Sequence, residues 1–262
     1  MIDPMLWVGK TVLVYGDPGI DHYVWGEAYR LSPEAPVPVF TPLTNESRSG
    51  LADNVVSQLS VLGINVRTHF PEKPWTKKTR YMVGNHQLLR VDEDRISFGP
   101  VDPPDLEGVD AVVISDYAKG WVNPNTCREL ISNARKHGIS VIVDPKTPDW
   151  THFQGATVIC PNLKEFENAE EAWRFPTIAI KCGPDGIILQ NDRGRRRFPA
   201  KAQAVFDVTG AGDTVVSVIA ASLASGQALE DAIEAANLAA GVVVGKVGTS
   251  LCPLATLTEL LK

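Results

Sequence analysis

Short apolar runs recur along this chain, and each gives way to a polar cluster. Residues 11–15 (Thr-Val-Leu-Val-Tyr) end in Gly16-Asp17, and residues 109–115, 140–144, 156–160 and 177–181 repeat the form. Three of these runs close on Ser115-Asp116-Tyr117-Ala118-Lys119-Gly120, on Asp144-Pro145-Lys146 and on Pro161-Asn162-Leu163-Lys164-Glu165-Phe166. Runs this short and this rich in β-branched residues read as strands buried on both faces. Residues 123–137 lie between two of them as a helical stretch, so the chain alternates strand and helix there. That alternation predicts an α/β fold with a doubly wound, mostly parallel sheet flanked by helices, whose ligands collect beyond the carboxyl ends of the strands.

The first third of the chain is patterned differently. Residues 29–39 are too rich in proline for a central strand and suit an edge strand projecting from the body. A helix is expected from Ser49 to Leu62, with Gly63 as its stop signal. Residues 66–70 and 78–83 read as strands, and 71–77 are too few to hold a crossover helix between them. Residues 78–83 and 86–92 alternate about Gly84-Asn85 and predict a hairpin. Toward the end, 187–190 and 195–199 are short strands, and 214–223 and 229–246 are largely apolar helices.

The 262 residues fit one large α/β domain, residues 1–262. A net charge of −6 disfavours a nucleic-acid partner, and no run of 18 apolar residues predicts a membrane span. The start Met1-Ile2-Asp3-Pro4 has no basic region followed by an apolar one, so a cytoplasmic location is expected. Cys127, Cys160, Cys182 and Cys252 show no CxxC pairing and read as reduced thiols.

The most informative stretch is Asp207-Val208-Thr209-Gly210-Ala211-Gly212-Asp213, which opens directly into an apolar helix. A Gly-Ala-Gly turn at a helix start leaves backbone N–H groups unpaired at a positive dipole end, an anion hole suited to a transferring phosphoryl group. A carboxylate placed there, Asp213, would repel a bound anion unless it has chemistry to do. Taking the proton from a substrate hydroxyl as that oxygen attacks phosphorus is such chemistry. A plain helix-capping Asp is the alternative on local sequence.

Asp-Val-Thr-Gly-Ala-Gly-Asp-Thr resembles the C-terminal signature of the ribokinase-like (PfkB) family of sugar kinases, and related matches extend along nearly the whole chain. The resemblance implies a ribokinase-like sheet with a small β lid, here near residues 22–42 and 78–95. It implies ATP and Mg²⁺ as cofactors, a small-molecule sugar or sugar phosphate as substrate, Asp213 as base and Gly210, Ala211 and Gly212 as anion hole. On the substrate side it points to Asp17, Asp21, Asn54, Asp116 and Lys119, with Arg80 and Arg90 available for a phosphorylated substrate. On the nucleotide side it points to Lys146, Lys181, Gly183, Gly186 and Asn237. Asn162 and Glu165 match the family's Asn-x-x-Glu, which organises Mg²⁺ through water, although the same pair also spells a helix capping box. Some relatives hold K⁺ beside the anion hole, and Asp207, Thr209 and Ser250 are available for it. A homodimer through the lid is the expected assembly.

Within the family, Gly-Asp-x-x-x-Asp-x-Tyr and Arg-x-Ser-Pro-Glu-Ala-Pro-Val-Pro-Val resemble the D-glycero-D-manno-heptose 7-phosphate kinases. Two departures stand out: Leu51 replaces a family glycine and Asp53 an alanine. A helix-and-strand unit is missing after Phe70. None of the five histidines (22, 69, 86, 137, 152) belongs to the His-x-Gly-His motif of the nucleotidyltransferase that accompanies such kinases, so a kinase part by itself is expected. A kinase of another sugar or nucleoside, and a catalytically weak binding homologue, are the alternatives.

Overall fold

The structure, a computed structural model, describes residues 2–72, 76–94, 101–201, 208–245 and 250–262. In chain order its elements are β1 (Thr11–Gly16), β2 (Pro18–Leu31), β3 (Pro38–Leu51), α1 (Ala52–Val61), β4 (Asn65–His69), β5 (Thr76–Val83) and β6 (His86–Asp94). There follow β7 (Ala111–Ser115), α2 (Pro124–Lys136), β8 (Ser140–Asp144), β9 (Val158–Ile159), α3 (Leu163–Asn168), β10 (Ile178–Lys181), β11 (Ile187–Asn191) and β12 (Gly194–Phe198). Helices α4 (Ala211–Ala224), α5 (Leu229–Val244) and α6 (Leu254–Leu260) close the chain.

The large sheet has the order β12-β11-β10-β9-β8-β7-β1-β4. Its pairs are parallel except β10/β11 and β11/β12, which are antiparallel. Strand alternation sends Val12, Val14, Val113 and Ile142 into a core shared with α1, α4 and α5, and Leu13, Tyr15, Val112 and Ile114 into a second core against α2. Both faces are therefore covered, which is why the central strands read as continuous apolar runs. Helix α4 buries most of its circumference and is a core helix, so its N-terminus is held rigidly beside the carboxyl ends of β7 and β8.

A second sheet of four strands, order β3-β2-β5-β6, stands at the end of β1. Strand β4 is the edge of the large sheet, and the next strand, β5, belongs to the small one. The β5–β6 hairpin has the expected turn at Gly84-Asn85.

Two expectations are corrected. Residues 29–39 are not one edge strand: β2 ends at Leu31 and β3 starts at Pro38, with Ser32 N–H bonded to Val37 O at 2.9 Å across a turn that holds Pro33 and Pro36. Proline lacks the ladder N–H and so marks the turn. The helix expected from Ser49 begins only at Ala52, because Leu51 has φ 57° and ψ −127° and breaks the chain out of β3 before α1 starts. All four cysteines are free, and Cys182 is only partly buried.

Candidate active site

Helix α4 is preceded by Gly210 at φ 81°, a left-handed conformation that glycine takes without steric cost. The helical ladder begins with Thr214 N–H to Gly210 O at 3.0 Å, so the N–H groups of Gly212 and Asp213 lie ahead of it at the positive dipole end. Asp213 is only 7% exposed. Tyr117 Oη donates to its Oδ1 at 2.7 Å and Asn54 Nδ2 to its Oδ2 at 3.0 Å. Burial lifts the Asp213 carboxyl above the usual carboxylate range, while these two hydrogen bonds and the charges of Lys181 and Lys78 pull it back.

Beyond Asp213 a cleft of about 190 Å³ is lined by Asp116, Tyr117, Asp144, Pro145, Lys146, Asn162, Glu165, Lys181, Gly210, Gly212 and Asp213. Lys181 Nζ donates to Asp144 Oδ1 at 2.5 Å, and a Cβ on Gly212 would stand 3.4 Å from that Nζ. Burial raises Asp144 to about 6 against the pull of Lys181. Burial also works against the Lys181 ammonium, but the Asp144 charge and hydrogen bond outweigh it and hold it protonated. Lys146 Nζ donates to Glu165 Oε1 at 2.9 Å. Asn162 and Glu165 do form the capping box of α3: Glu165 N–H donates to Asn162 Oδ1 at 2.9 Å and Asn162 N–H to Glu165 Oε2 at 2.8 Å. The pair lines the cleft all the same.

The small sheet brings rows of charge toward this region. Strand register places Arg48, Asp21, Lys78 and Asp92 side by side across all four strands, and Glu46, Tyr23, Arg80 and Arg90 in the next row on the same face. Arg80 pairs with Asp21, Arg90 with Asp92, Arg48 with Glu46 and Lys119 with Asp94. Lys78 has no ion-pair partner among the described residues, and burial lowers it below the usual lysine range. The Arg80 and Arg48 guanidinium groups both lie over the Tyr23 ring.

The sequence-predicted residues fall into three groups. Asp116, Lys146, Asn162, Glu165, Lys181, Gly210, Gly212 and Asp213 meet in one cleft, and Asn54 joins Asp213 from α1. Asp17 and Asp116 are expected on the substrate, but their carboxylates are taken up by backbone. Asp17 accepts the N–H groups of Tyr117, Lys119, Trp121 and Val122, and Asp116 those of Ala118, Lys146 and Thr147. These bonds tie down the 116–123 loop and the chain after β8, and Asp116 also lines the cleft.

Gly183, Gly186 and Asn237 are not among the residues lining the cleft. A Cβ on Gly186 would stand 2.1 Å from Phe198 O, so that glycine permits close packing of the β11 turn on β12, and Asn237 Nδ2 donates to the same carbonyl at 3.0 Å. Arg90 is exposed on β6. Asp207 lies outside the described residues, Ala211 opens α4, and Thr209 precedes it. Ser250 belongs to the segment before α6.

Sequence reasoning passed over Tyr117, Asp144 and Lys78 as site residues. Lys78 was legible as the same-face neighbour of Arg80 two positions away. For the other two nothing beyond their place at strand ends marked them.

An Mg²⁺ ion fits this donor set only as a hydrated one. Among the described residues no three His, Cys, Asp or Glu side chains gather as a ligand cluster, and both Glu165 oxygens already accept hydrogen bonds. Such a cation would hold its coordination through water and phosphate oxygens, with Asn162 and Glu165 behind the water.

The chain matches the pfkB family carbohydrate kinase profile over residues 92–256. It is 38% identical over 292 aligned residues to the Bifunctional protein HldE of Citrobacter koseri, covering 91% of this chain and 61% of that protein. The Bifunctional protein HldE of Escherichia coli O9:H4 is 37% identical with the same coverage, so the chain spans about 61% of the length of these relatives. Among solved structures, Arabidopsis thaliana ribokinase in complex with ribose and ATP superposes with a TM-score of 0.75 at 16% identity, covering 97% of this chain and 99% of that one. Thermotoga maritima ribokinase gives a TM-score of 0.73 at 17% identity over 96% of this chain and 99% of that one. At these identities the structural likeness speaks to the fold, which is ribokinase-like.

Proposed function

This chain belongs to the pfkB family of carbohydrate kinases, and from that premise we propose that it transfers the γ-phosphoryl group of ATP to a hydroxyl of a sugar phosphate, heptose 7-phosphate by the likeness of residues 30–39 and 78–92. The observation that carries the reading is the buried Asp213 carboxylate in the first turn of α4, facing a cleft that also holds Lys181 and Lys146. Asp213 accepts the proton of the sugar hydroxyl while that oxygen bonds to the γ-phosphorus. The bond from the γ-phosphorus to the β,γ-bridging oxygen breaks and its electron pair leaves on ADP. The N–H groups at the α4 N-terminus and the Lys181 ammonium face the charge that builds on the transferring group. A bound Mg²⁺ supplies further neutralisation of the phosphate oxygens. Lys146, Asn162 and Glu165 form the nucleotide side of the cleft.

Asp21, Asn54, Lys78, Arg80, Arg90 and Lys119 form the sugar side. The cations expected to meet a substrate phosphate are each already paired with a carboxylate: Arg80 with Asp21, Arg90 with Asp92, Lys119 with Asp94. This favours, as a second reading, a neutral sugar. Residues 1–262 act as one kinase domain of cytoplasmic location, with the small sheet as its lid. Leu89 and Val91, exposed on the lid face opposite Arg90, support a homodimer through that sheet. A K⁺ site would use Asp207, Thr209 and Ser250, and equal activity in K⁺, Na⁺ and tetramethylammonium buffers removes it.

The deciding experiment measures kcat/KM for matched phosphorylated and unphosphorylated sugars in wild type and Asp213→Asn. Loss of at least about 10²-fold in kcat with ATP binding intact supports the base. Near-wild-type turnover in the variant overturns it, and a wild type that ignores every phosphosugar overturns the heptose assignment alone.

A further inference from the structure

Tyr117 is a half-buried phenol at the wall of the cleft that the chemistry above does not use. Burial and the neighbouring Asp213 charge hold its proton far more tightly than in an ordinary tyrosine, so it is neither an acid nor a base near neutral pH. What remains to it is to be a fixed donor. We propose that Tyr117 is a positioning residue for Asp213, gripping Oδ1 while Asn54 grips Oδ2, so that the carboxylate cannot turn and presents its remaining lone pairs to the sugar hydroxyl. The inference rests on the reading of Asp213 as the base.

The grip is rigid because the loop that delivers Tyr117 is over-determined. Its own N–H bonds to Asp17 Oδ2 at 2.9 Å, and the same carboxylate takes three more N–H groups farther along the loop. Tyr15 Oη donates to Trp121 O at 2.6 Å and accepts Asn123 N–H at 3.1 Å, tying the far end of the loop to β1. Ala118, the next residue, sits at φ 55°, a conformation disfavoured for a residue with a Cβ. Strain of this kind persists only where the surroundings impose it, and here they do so one residue from a hydrogen bond to the base. Asp17 and Asp116, read from sequence as substrate ligands, act on the reaction at one remove by building this bracket.

The two donors come from separate elements, α1 and the β7–α2 loop, and meet on a carboxylate carried by a third, α4. A carboxylate fixed at both oxygens keeps a near-attack geometry that a single donor leaves free to rotate. The charged groups facing Asp213 are Lys181 from β10 and Lys78 from β5, with the Asp144 carboxylate of β8 also within its field.

The test titrates the Asp213 carboxyl by ¹³C NMR, its signal assigned by its absence in Asp213→Asn. The proteins are wild type, Tyr117→Phe and a protein carrying 3-fluorotyrosine at position 117. The midpoint is expected to rise in Tyr117→Phe, which lacks the donor, and to fall with fluorotyrosine, a stronger donor of nearly the same shape. In Tyr117→Phe, kcat is expected to fall about tenfold to 10²-fold with KM for ATP unchanged, the size expected for a misplaced catalytic group. A midpoint that stays put in both proteins, or wild-type kcat in Tyr117→Phe, overturns the proposal. If Tyr117→Phe fails to fold, the fluorotyrosine protein decides. If wild type phosphorylates no sugar, the kinase reading falls, and the titration still decides whether Tyr117 holds Asp213.

Discussion

The Lys181 ammonium and the Asp144 carboxylate meet at 2.5 Å in the cleft, each side chain 13% exposed, from strands that are not neighbours in the sheet. Strand β9 separates β8 from β10, so the long Lys181 side chain reaches across it to Asp144 beneath the anion turn. The pair parks a cation beside Gly212 where a phosphoryl group would arrive. Removing one partner of a buried pair strands the other, at a cost of about 3–5 kcal/mol. Lys181→Met takes away the main pull that keeps Asp144 near 6, so the Asp144 pKa climbs. A folded-state pKa above the unfolded value stabilises most at low pH, and that stability is lost as pH rises through the folded pKa. Lys181→Met is therefore expected to destabilise more at pH 8 than at pH 5, and Asp144→Asn in the same chain to restore part of the loss. Urea unfolding at both pH values checks this; a pH-independent cost would mean that Asp144 is not the partner left unpaired.

The same sign argument applies to activity. Asp213 must be ionised to accept a proton, and burial raises its pKa. The acid limb of kcat/KM should thus lie above the ordinary carboxylate value of about 3.9. Asn54→Ala removes a donor that favours the anion and should move the limb higher still. A wild-type limb at the ordinary value, unmoved by Asn54→Ala, would contradict the assignment.

Leu51 occupies a backbone conformation suited to glycine, and its side chain is buried against Gly19. Leu51→Ala creates a cavity and leaves the strain, of order 1–3 kcal/mol, in place. Leu51→Gly creates a similar cavity but relieves the strain. Glycine commonly destabilises by about 0.5–1 kcal/mol relative to alanine, so a thermal midpoint for Leu51→Gly at or above that of Leu51→Ala is the reversed order expected here. The usual order would show that Leu51 is not strained.

Gly212 is a helical position whose added Cβ would meet Lys181 first, its Nζ at 3.4 Å, an easily accommodated contact. Alanine favours a helix over glycine by up to about 1 kcal/mol, so Gly212→Ala should keep or raise the thermal midpoint while raising KM for ATP by crowding the anion turn. Unchanged kinetics in a stable variant would remove the anion hole from this turn.

Asp17→Ala removes the carboxylate that accepts four half-buried backbone N–H groups. A fully buried unsatisfied group costs about 1–3 kcal/mol and these are partly reached by water, so a loss of at least about 1 kcal/mol is expected in chemical unfolding. Normal stability with a raised sugar KM would instead return Asp17 to the substrate.

Much of this architecture was legible because its signals are local. Apolar runs marked β1, β7 and β8, whose residues are buried on both sides, and Gly84-Asn85 marked the β5–β6 turn. Gly210 announced the start of α4 because left-handed backbone there needs glycine. Where several local readings compete, sequence was a poorer guide. The prolines between Ser32 and Pro38 suited an edge strand but form a turn, and Asn162 with Glu165 suited a capping box or a nucleotide site.

By itself the sequence determined the α/β alternation, the glycine turn and the identity of the carboxylate that follows it, because hydrophobic period and backbone stereochemistry act over a few residues. Only the tertiary structure decided which groups surround that carboxylate. Tyr117 lies 96 positions from Asp213 and Asn54 lies 159 from it, and Lys181 is 37 from Asp144. Sheet order and helix docking bring these pairs together. The same packing surrounds the Asp17 carboxylate with four backbone N–H groups of the 116–123 loop, because a buried carboxylate takes whichever donors its surroundings supply, and no local pattern around Asp17 announces them.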